Sequence, residues 1–474
     1  MKHYIGNGCV VESLPYNKSK TTLITEKIAS LESEHSEDAF FVADLGDIVI
    51  KYQTWRELLP RIDPFYALKC NDDHAVIKLL ADLGTSFDCA SKAEIEKILN
   101  LGVSPSRIIY ANPCKQKSFI RYAAKHNVKT MTFDNEAELY KVKQSFPEAR
   151  LVLRILPPAD FKVQCNLGIK FGCHPKKAAQ LLTKAKELEL NVVGISFHVG
   201  SGAEEAEAFA AAVEQAYYVF ELGREMGFNF ELLDVGGGFP GQKNTAITFK
   251  EVAEVLNTAL DRYFPSDTGI RIIAEPGRYF VASAFTLAVN IIAKRIVLRD
   301  RPIDGDAQEM MLTPNDEPAF MYYVNDGVYG SFNCLLFDHA KVQPSMVQDC
   351  QDENTFTSSI WGPTCDGLDC IMEDCLLPEL PVGAWLFFED MGAYTMSAST
   401  CFNGMPRPSC HFYCSEDSWY YLYPEQKKKT EIRIPSKAIP ILKTGLDIHS
   451  SYEQTDDVFG SPLNFDKICE DITC

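Results

Sequence analysis

Between Phe65 and Phe280, short apolar runs alternate with stretches whose apolar positions recur every three to four residues. The runs are Phe65–Lys69, Ser86–Cys89, Arg107–Ala111, Thr130–Asp134, Leu151–Ile155, Val192–His198, Glu231–Val235 and Ile270–Glu275. Short, nearly continuous apolar runs of this kind predict strands covered on both faces, as in a parallel sheet. Between them, Ala75–Leu83, Ala93–Leu101, Pro175–Leu188, Glu205–Met226 and Phe249–Tyr263 carry the amphipathic period of helices. The count reaches eight strand–helix steps if the stretch after Ser283 serves as the last helix. Eight steps predict an α/β fold built as a (β/α)8 barrel, with a doubly wound open sheet as the alternative. The barrel is favoured because polar residues end nearly every run: Lys69, Asp88, Asn112, Asp134, Arg154, His198, Asp234 and Glu275. A barrel gathers such ends on one face, whereas an open sheet spreads them along an edge.

After Ser283 the period shortens. Phe285–Ile292, Ala319–Asn325, Trp385–Glu389 and His411–Tyr413 read as strands separated by Gly and Pro turns. They predict a second, all-β domain formed by residues 284–424 together with 1–37, beside a barrel domain of 38–283. The segment from about Asp38 to Val49 also has strand character and can add to that sheet. Arg299–Pro318 and Pro157–Asn166 read as loops. From Pro424 onward the period is lost, so 425–474 reads as a disordered tail. Between His449 and Lys467 it holds Ser, Thr, Glu, Asp and Pro without Lys or Arg, a composition that also resembles proteolytic-turnover signals.

Composition narrows the function classes. The chain has 474 residues, 46% of them hydrophobic, which is a globular balance long enough for two domains. The net charge of -19 repels nucleic acid and anionic lipid, so neither is expected as a partner. Met1–Pro15 lacks an apolar run of signal-peptide length, and Val281–Ile292 is too short to span a bilayer. A cytoplasmic protein with no membrane contact is expected. The 16 cysteines are scattered and form no paired CxxC spacing, so no metal site is predicted and free thiols are expected.

Several residues bear chemistry once the barrel gathers them. Lys69, in Pro64-Phe65-Tyr66-Ala67-Leu68-Lys69-Cys70-Asn71, follows an apolar strand and points where an aldehyde cofactor could be held as a Schiff base. Its plainer reading is a solvated charge. Gly236-Gly237-Gly238 leaves backbone amides open to a phosphate, or simply makes a tight turn. Glu275-Pro276-Gly277-Arg278 offers a carboxylate for a pyridine nitrogen and a guanidinium for phosphate, or an ordinary ion pair. His198 could lie flat on a planar ring, with Ser201 donating to phosphate; a lone strand histidine is more often structural. Asp88 and Arg154 could form a buried pair across strands. Cys365 beside Asp366 could supply a proton donor and an ammonium receptor, although most cysteines are inert. Tyr394 could add a phenol to the phosphate site or merely pack.

Taken together, PFYALKCN, FDCASKAE, YANPCKQ, SFHVGSG, GGGFPG, AEPGRY, NDGVYGSFNC, WGPTCDGLD and MGAYT resemble the eukaryotic ornithine decarboxylases, pyridoxal-phosphate enzymes of alanine-racemase-like fold. The resemblance runs from about Ala39 to Phe412. It implies pyridoxal 5'-phosphate as cofactor, bound covalently at Lys69. Ser201, Gly236, Gly237, Gly238, Arg278 and Tyr394 would hold the phosphate, with Pro276 and Gly277 in the same turn. Glu275 would pair with the ring nitrogen, His198 would stack on the ring, and Asp88 and Arg154 would tune the lysine end. Phe337, Asp338, Asp366 and Phe402 would receive the substrate, L-ornithine, and Cys365 would protonate the carbon that loses carbon dioxide. Lys69, His198 and Cys365 are the implied catalytic residues.

The resemblance also implies a homodimer with active sites shared between chains, and the committed step of polyamine synthesis, giving putrescine. Phe337 departs from the pattern, where Tyr is common. Lys117–Tyr140 and the following Lys141 resemble an antizyme-binding element, with Arg121 replacing a lysine. Two alternatives stay open. One is a non-enzymatic antizyme inhibitor, disfavoured because Lys69, Asp88, Arg154, Ser201, Cys365 and Asp366 are all present. The other is a decarboxylase of lysine, arginine, leucine or diaminopimelate.

Overall fold

The computed structural model describes residues 1–6, 8–14, 18–243, 245–298, 318–347 and 354–426. The expected loop Arg299–Pro318 lies outside the described residues except at Pro318, and so does the tail from Lys427 onward.

Eight parallel strands close into a barrel: Ile62–Ala67, Ser86–Cys89, Ile108–Tyr110, Thr130–Phe133, Arg150–Arg154, Asn191–Ser196, Leu232–Asp234 and Arg271–Ala274. The eighth pairs with the first through Ile272 and Ile62, which completes the ring. Strand periodicity sorts the side chains. Phe65, Ile109, Val152, Val193, Leu232 and Ile273 form a cluster of their own that fills the interior. Their neighbours, such as Tyr66, Leu151 and Leu233, join the main core under the helices.

Helix starts follow local chemistry. The Ser91 hydroxyl accepts the Glu94 amide at the start of Lys92–Asn100, and Asn135 does the same for Glu136–Ser145. Thr248 and Glu251 make a reciprocal capping box for Phe249–Tyr263.

Two expectations about the barrel need correction. The stretch after Ser283 is not the eighth helix; it is the long strand Phe285–Leu298. Only the single turn Arg278–Val281 follows the eighth barrel strand, and the missing outer helix is supplied from upstream. Leu45–Leu58 packs against Phe249–Tyr263 and Arg278–Val281. It starts where it does because the Asp44 carboxylate accepts the Gly46 and Asp47 amides, ending a strand and capping a helix at one residue. The second correction concerns Lys69. The strand ends at Ala67, and Lys69 lies in the one-turn 3₁₀ helix Leu68–Cys70.

The second sheet is organised around Phe285–Leu298, which pairs with Phe40–Asp44, Pro318–Val324 and Trp385–Phe388. Its order runs Lys2–Ile5, Cys9–Leu14, Ser409–Ser415, Phe40–Asp44, Phe285–Leu298, Pro318–Val324, Phe356–Trp361, Cys370–Leu377. Phe40–Asp44, within the span read as barrel, thus lies in this sheet. The β region also carries the helices Lys20–Ser33 and Glu416–Leu422; the first buries Ile24, Ile28 and Leu31 against Phe40, Val42 and Trp385. Pro157–Asn166 contains a short strand, Val163–Cys165, paired antiparallel with Ser201–Ala203. No helix among the described residues is long and apolar enough to cross a membrane.

Candidate active site

The C-terminal ends of the barrel strands enclose a narrow cavity bounded by Lys69, His198, Ser201, Glu275, Arg278 and Tyr394. Lys69 reaches into it from the turn after the first strand and donates to the Asp88 carboxylate, which lies next to the end of the second strand and is buried. Asp88 Oδ1 has no hydrogen-bond partner among the described residues. Burial opposes the charge on Lys69, but Asp88, Tyr394 and Glu275 outweigh it and hold the amine above its ordinary pKa. The Asp88–Arg154 pair considered from sequence is replaced by this Lys69–Asp88 pair. Arg154 stands over the Phe171 ring, 5.4 Å from its centroid, and its charge bears on His198 and Asp234.

The glycine turn can lie against the preceding loop only because it lacks side chains. A Cβ on Gly236, at φ +64°, would fall 2.1 Å from the Phe197 carbonyl oxygen. One on Gly237 would fall 2.8 Å from His198 Nε2. His198 is held by the Gly200 amide, which donates to Nδ1 at 3.1 Å. Burial, then Arg154 and Lys69, push its pKa well below the usual histidine value, so the ring is neutral.

Glu275 follows the eighth strand, and its amide donates to the Gly236 carbonyl at 2.6 Å. Its carboxyl faces that of Asp234, which ends the seventh strand and accepts the Gly236 amide at 2.9 Å. Both are buried. Burial pushes Asp234 up to about 7, opposed by the neighbouring Glu275 carboxyl and the Gly236 amide. Burial, Asp234 and Asp88 raise Glu275 well above the carboxylate range. Two adjacent buried carboxyls therefore resist being charged together.

Arg278 Nη2 donates to Ser201 Oγ at 2.8 Å and to Asp338 Oδ1 at 2.6 Å, while its Nε is buried with no partner among the described residues. The guanidinium lies 5.2 Å from the Tyr394 ring centroid. Pro276 accepts the Ala67 amide at 3.2 Å, and Gly277 packs where a Cβ would meet that of Cys70 at 2.8 Å. An unsatisfied guanidinium donor beside a Cβ-free turn fits a phosphate. A buried carboxyl across the cavity from the lysine fits the nitrogen of a planar ring. The residues present thus fit pyridoxal phosphate.

Cys365, Asp366 and Phe402 are not in the wall of this cavity. They lie together elsewhere in the chain, with Cys365 and Asp366 in the loop between Phe356–Trp361 and Cys370–Leu377. The Cys365 amide donates to Asn403 Oδ1 at 3.2 Å, and Asp366 accepts from the Tyr329 hydroxyl. That bond and the Leu368 amide hold Asp366 below the usual carboxylate pKa. Tyr329 stacks on Phe402 with centroids 4.4 Å apart. Cys365 is exposed. Phe337 is 70% exposed at the end of Cys334–Phe337, whereas its neighbour Asp338 is buried on Arg278 and accepts from Gln164 Nε2 at 3.2 Å.

Sequence reasoning placed Asp234 at a strand end but gave it no part in the site. It missed Tyr329, Asn403, Gln164 and Glu94. Glu94 accepts the Ala90 amide and is raised in pKa by burial. Only Asp234 had a readable signal, a carboxylate directly before three glycines.

Residues 45–282 match the family model described as pyridoxal-dependent decarboxylase, pyridoxal binding domain. The chain is 51% identical over 438 residues to an ornithine decarboxylase of Mus pahari, covering 90% of this chain and 93% of that protein. It is 52% identical over 398 residues to antizyme inhibitor 2 of Xenopus laevis, covering 84% and 86%. Among solved structures, the arginine decarboxylase of Paramecium bursaria Chlorella virus bound to agmatine matches with a TM-score of 0.74. The identity there is 33%, over 83% of this chain and 100% of that one. Barrel, cradle and sequence therefore agree that this chain belongs to the pyridoxal-dependent decarboxylases, in the group that holds the eukaryotic ornithine decarboxylases.

Proposed function

We infer that this chain decarboxylates L-ornithine to putrescine and carbon dioxide, the committed step of polyamine synthesis, with its active sites shared between two copies. The observation that carries the enzymatic reading is the intact cradle: Lys69, Asp88, Glu275, Arg278 and Tyr394 around one buried cavity. Bound there, pyridoxal phosphate supplies an electron-poor ring that takes up the charge left when carbon dioxide departs. Lys69 would hold the aldehyde, and Asp88, which accepts from its ammonium, would fix its position in the cavity. Arg278, Ser201, Tyr394 and the glycine amides hold the phosphate end. Glu275, backed by Asp234, presents a carboxyl to the ring nitrogen, and neutral His198 covers one face without adding charge. Cys365 carries the proton returned to the substrate carbon, while Asp338 and Asp366 receive the distal ammonium. Asp338 does this while also bound to Arg278, so it links the phosphate end to the substrate end.

Placement supports sharing between chains. The thiol loop is exposed and lies apart from the cavity in its own chain, and the surface near it includes Phe402 together with Leu368, 71% exposed. A second copy can bring that loop to the cavity. The antizyme contact belongs to the same reading: Lys117, Arg121 and Lys125 are exposed at four-residue spacing along Lys117–Lys125. A cytoplasmic setting fits the absence of any disulfide among the described cysteines. Carbon dioxide release from ornithine, lysine, arginine and leucine, with added pyridoxal phosphate, tests the substrate. Ornithine should be preferred. An absorption band near the visible edge should appear on adding cofactor, and a chain that neither forms the band nor releases carbon dioxide would be a binding protein of the antizyme-inhibitor type.

A further inference from the structure

We propose that Lys51 is a positioning residue for the phosphate end of the cavity, tying its separate backbone elements together from behind. This rests on the reading of that end as a phosphate site. Lys51 lies on Leu45–Leu58, outside the cavity, and its side chain is only 16% exposed. Its ammonium donates to the Gly241 carbonyl at 2.7 Å, at the end of the turn that begins at Gly236. Its own carbonyl accepts the Tyr279 hydroxyl at 2.8 Å, and Tyr279 directly follows Arg278. The same ammonium lies 5.6 Å from the Tyr279 ring centroid. Gly241 and Arg278 are pressed together, since a Cβ on Gly241 would fall 2.1 Å from the Arg278 carbonyl oxygen.

The charges around Lys51 come from three elements. Asp47, one turn earlier on its helix, is 3.8 Å away and is oriented by the Ser283 hydroxyl at 2.6 Å. Asp390 attracts the ammonium from the segment that leads to Tyr394, and Lys243, just past the turn, opposes it. A buried lysine is costly unless its hydrogen bonds are made. Here the ammonium bonds one phosphate loop at Gly241, while Tyr279 on the other loop donates back to the Lys51 carbonyl. Tilting the glycine turn would move amides that must point at a single anion, so the support should be felt as anion affinity.

The test compares pyridoxal phosphate with phosphate-free pyridoxal, measuring the dissociation constant of each from the cofactor-free protein. In Lys51→Met, affinity for pyridoxal phosphate should fall by about tenfold or more, the scale of losing a hydrogen bond to a charged group. Affinity for pyridoxal should change little, and Lys51→Arg should recover most of the loss. An equal fall for both ligands, or an unchanged ratio between them, overturns the proposal. If Lys51→Met does not fold, Tyr279→Phe severs the other link and should lower the same ratio by a smaller factor; no change there also overturns it. A parent protein that shows no preference for the phosphorylated ligand would instead defeat the reading of the site.

Discussion

The cavity behind Lys69 and the loop carrying Cys365 differ in nearly every physical respect. The cavity is walled by strand ends whose backbone amides and carbonyls are bonded to their neighbours, and its charged groups are paired: Lys69 on buried Asp88, and Arg278 with Asp338 and Asp234 with Glu275, both pairs buried. The Cys365 loop is open to solvent and is held by side chains, Asn403 and Tyr329, with Asp366 sharply less enclosed than Asp338. A site that must anchor a cofactor is preorganised by burial. A site that must meet another surface keeps its groups outside until that surface arrives.

The largest effect that can break this contrast is Lys69→Ala. Decarboxylation should fall on the order of 10³-fold or more, and the cofactor absorption band should be lost, because one covalent anchor cannot be replaced by the pairs around it. Next comes a mixing experiment. Lys69→Ala and Cys365→Ala proteins are each expected to be nearly inactive. Their equimolar mixture should regain about a quarter of parental activity if random dimers form with one intact site in half of them. No recovery under conditions of subunit exchange would place both halves of the site in one chain.

A smaller change is expected from Asp366→Ala. The KM for ornithine should rise roughly 10- to 100-fold, the cost of losing a charge-assisted contact, while cofactor affinity stays within about twofold. Unchanged ornithine kinetics would remove Asp366 from the substrate site.

The smallest effect sharpens the buried side of the comparison. Asp234 is raised in the folded state, to about 7, so its contribution to stability is present at low pH and lost as pH climbs toward and past that value. Asp234→Asn leaves one carboxyl where two repelled each other. The cofactor-free variant should therefore gain on its parent in urea unfolding as pH rises from about 5 to 8. A difference that is flat across that range would mean that burial beside Glu275 does not raise Asp234.

The alternation of apolar runs with helical stretches was enough to read the barrel, and strand-end residues were enough to gather the cavity wall. The reasons for what escaped are specific. The eighth helix was sought after Ser283 because barrel units are read strand first. The apolar run Phe285–Ile292 belongs instead to a strand buried between neighbours, and Leu45–Leu58 occupies the helix position from the other end of the chain. Asp234 was visible as a residue but not as a partner, since its significance lies in facing Glu275 across a strand gap. Tyr329 and Asn403 meet Asp366 and Cys365 only through the turns of the second sheet, and a side-chain hydrogen bond between distant segments leaves no periodic trace. Lys51 looked like any helix lysine; burial distinguishes it.

The position of Phe40–Asp44 also sets an order in time. This strand lies between Phe285–Leu298 and Ser409–Ser415, both of which emerge from the ribosome long after it does. While the barrel is being completed, Phe40, Phe41 and Val42 have neither flanking strand to pair with. The chain carries this unpaired apolar β-segment until both flanking strands have been made, and until then its edges are open to mispairing with another nascent copy.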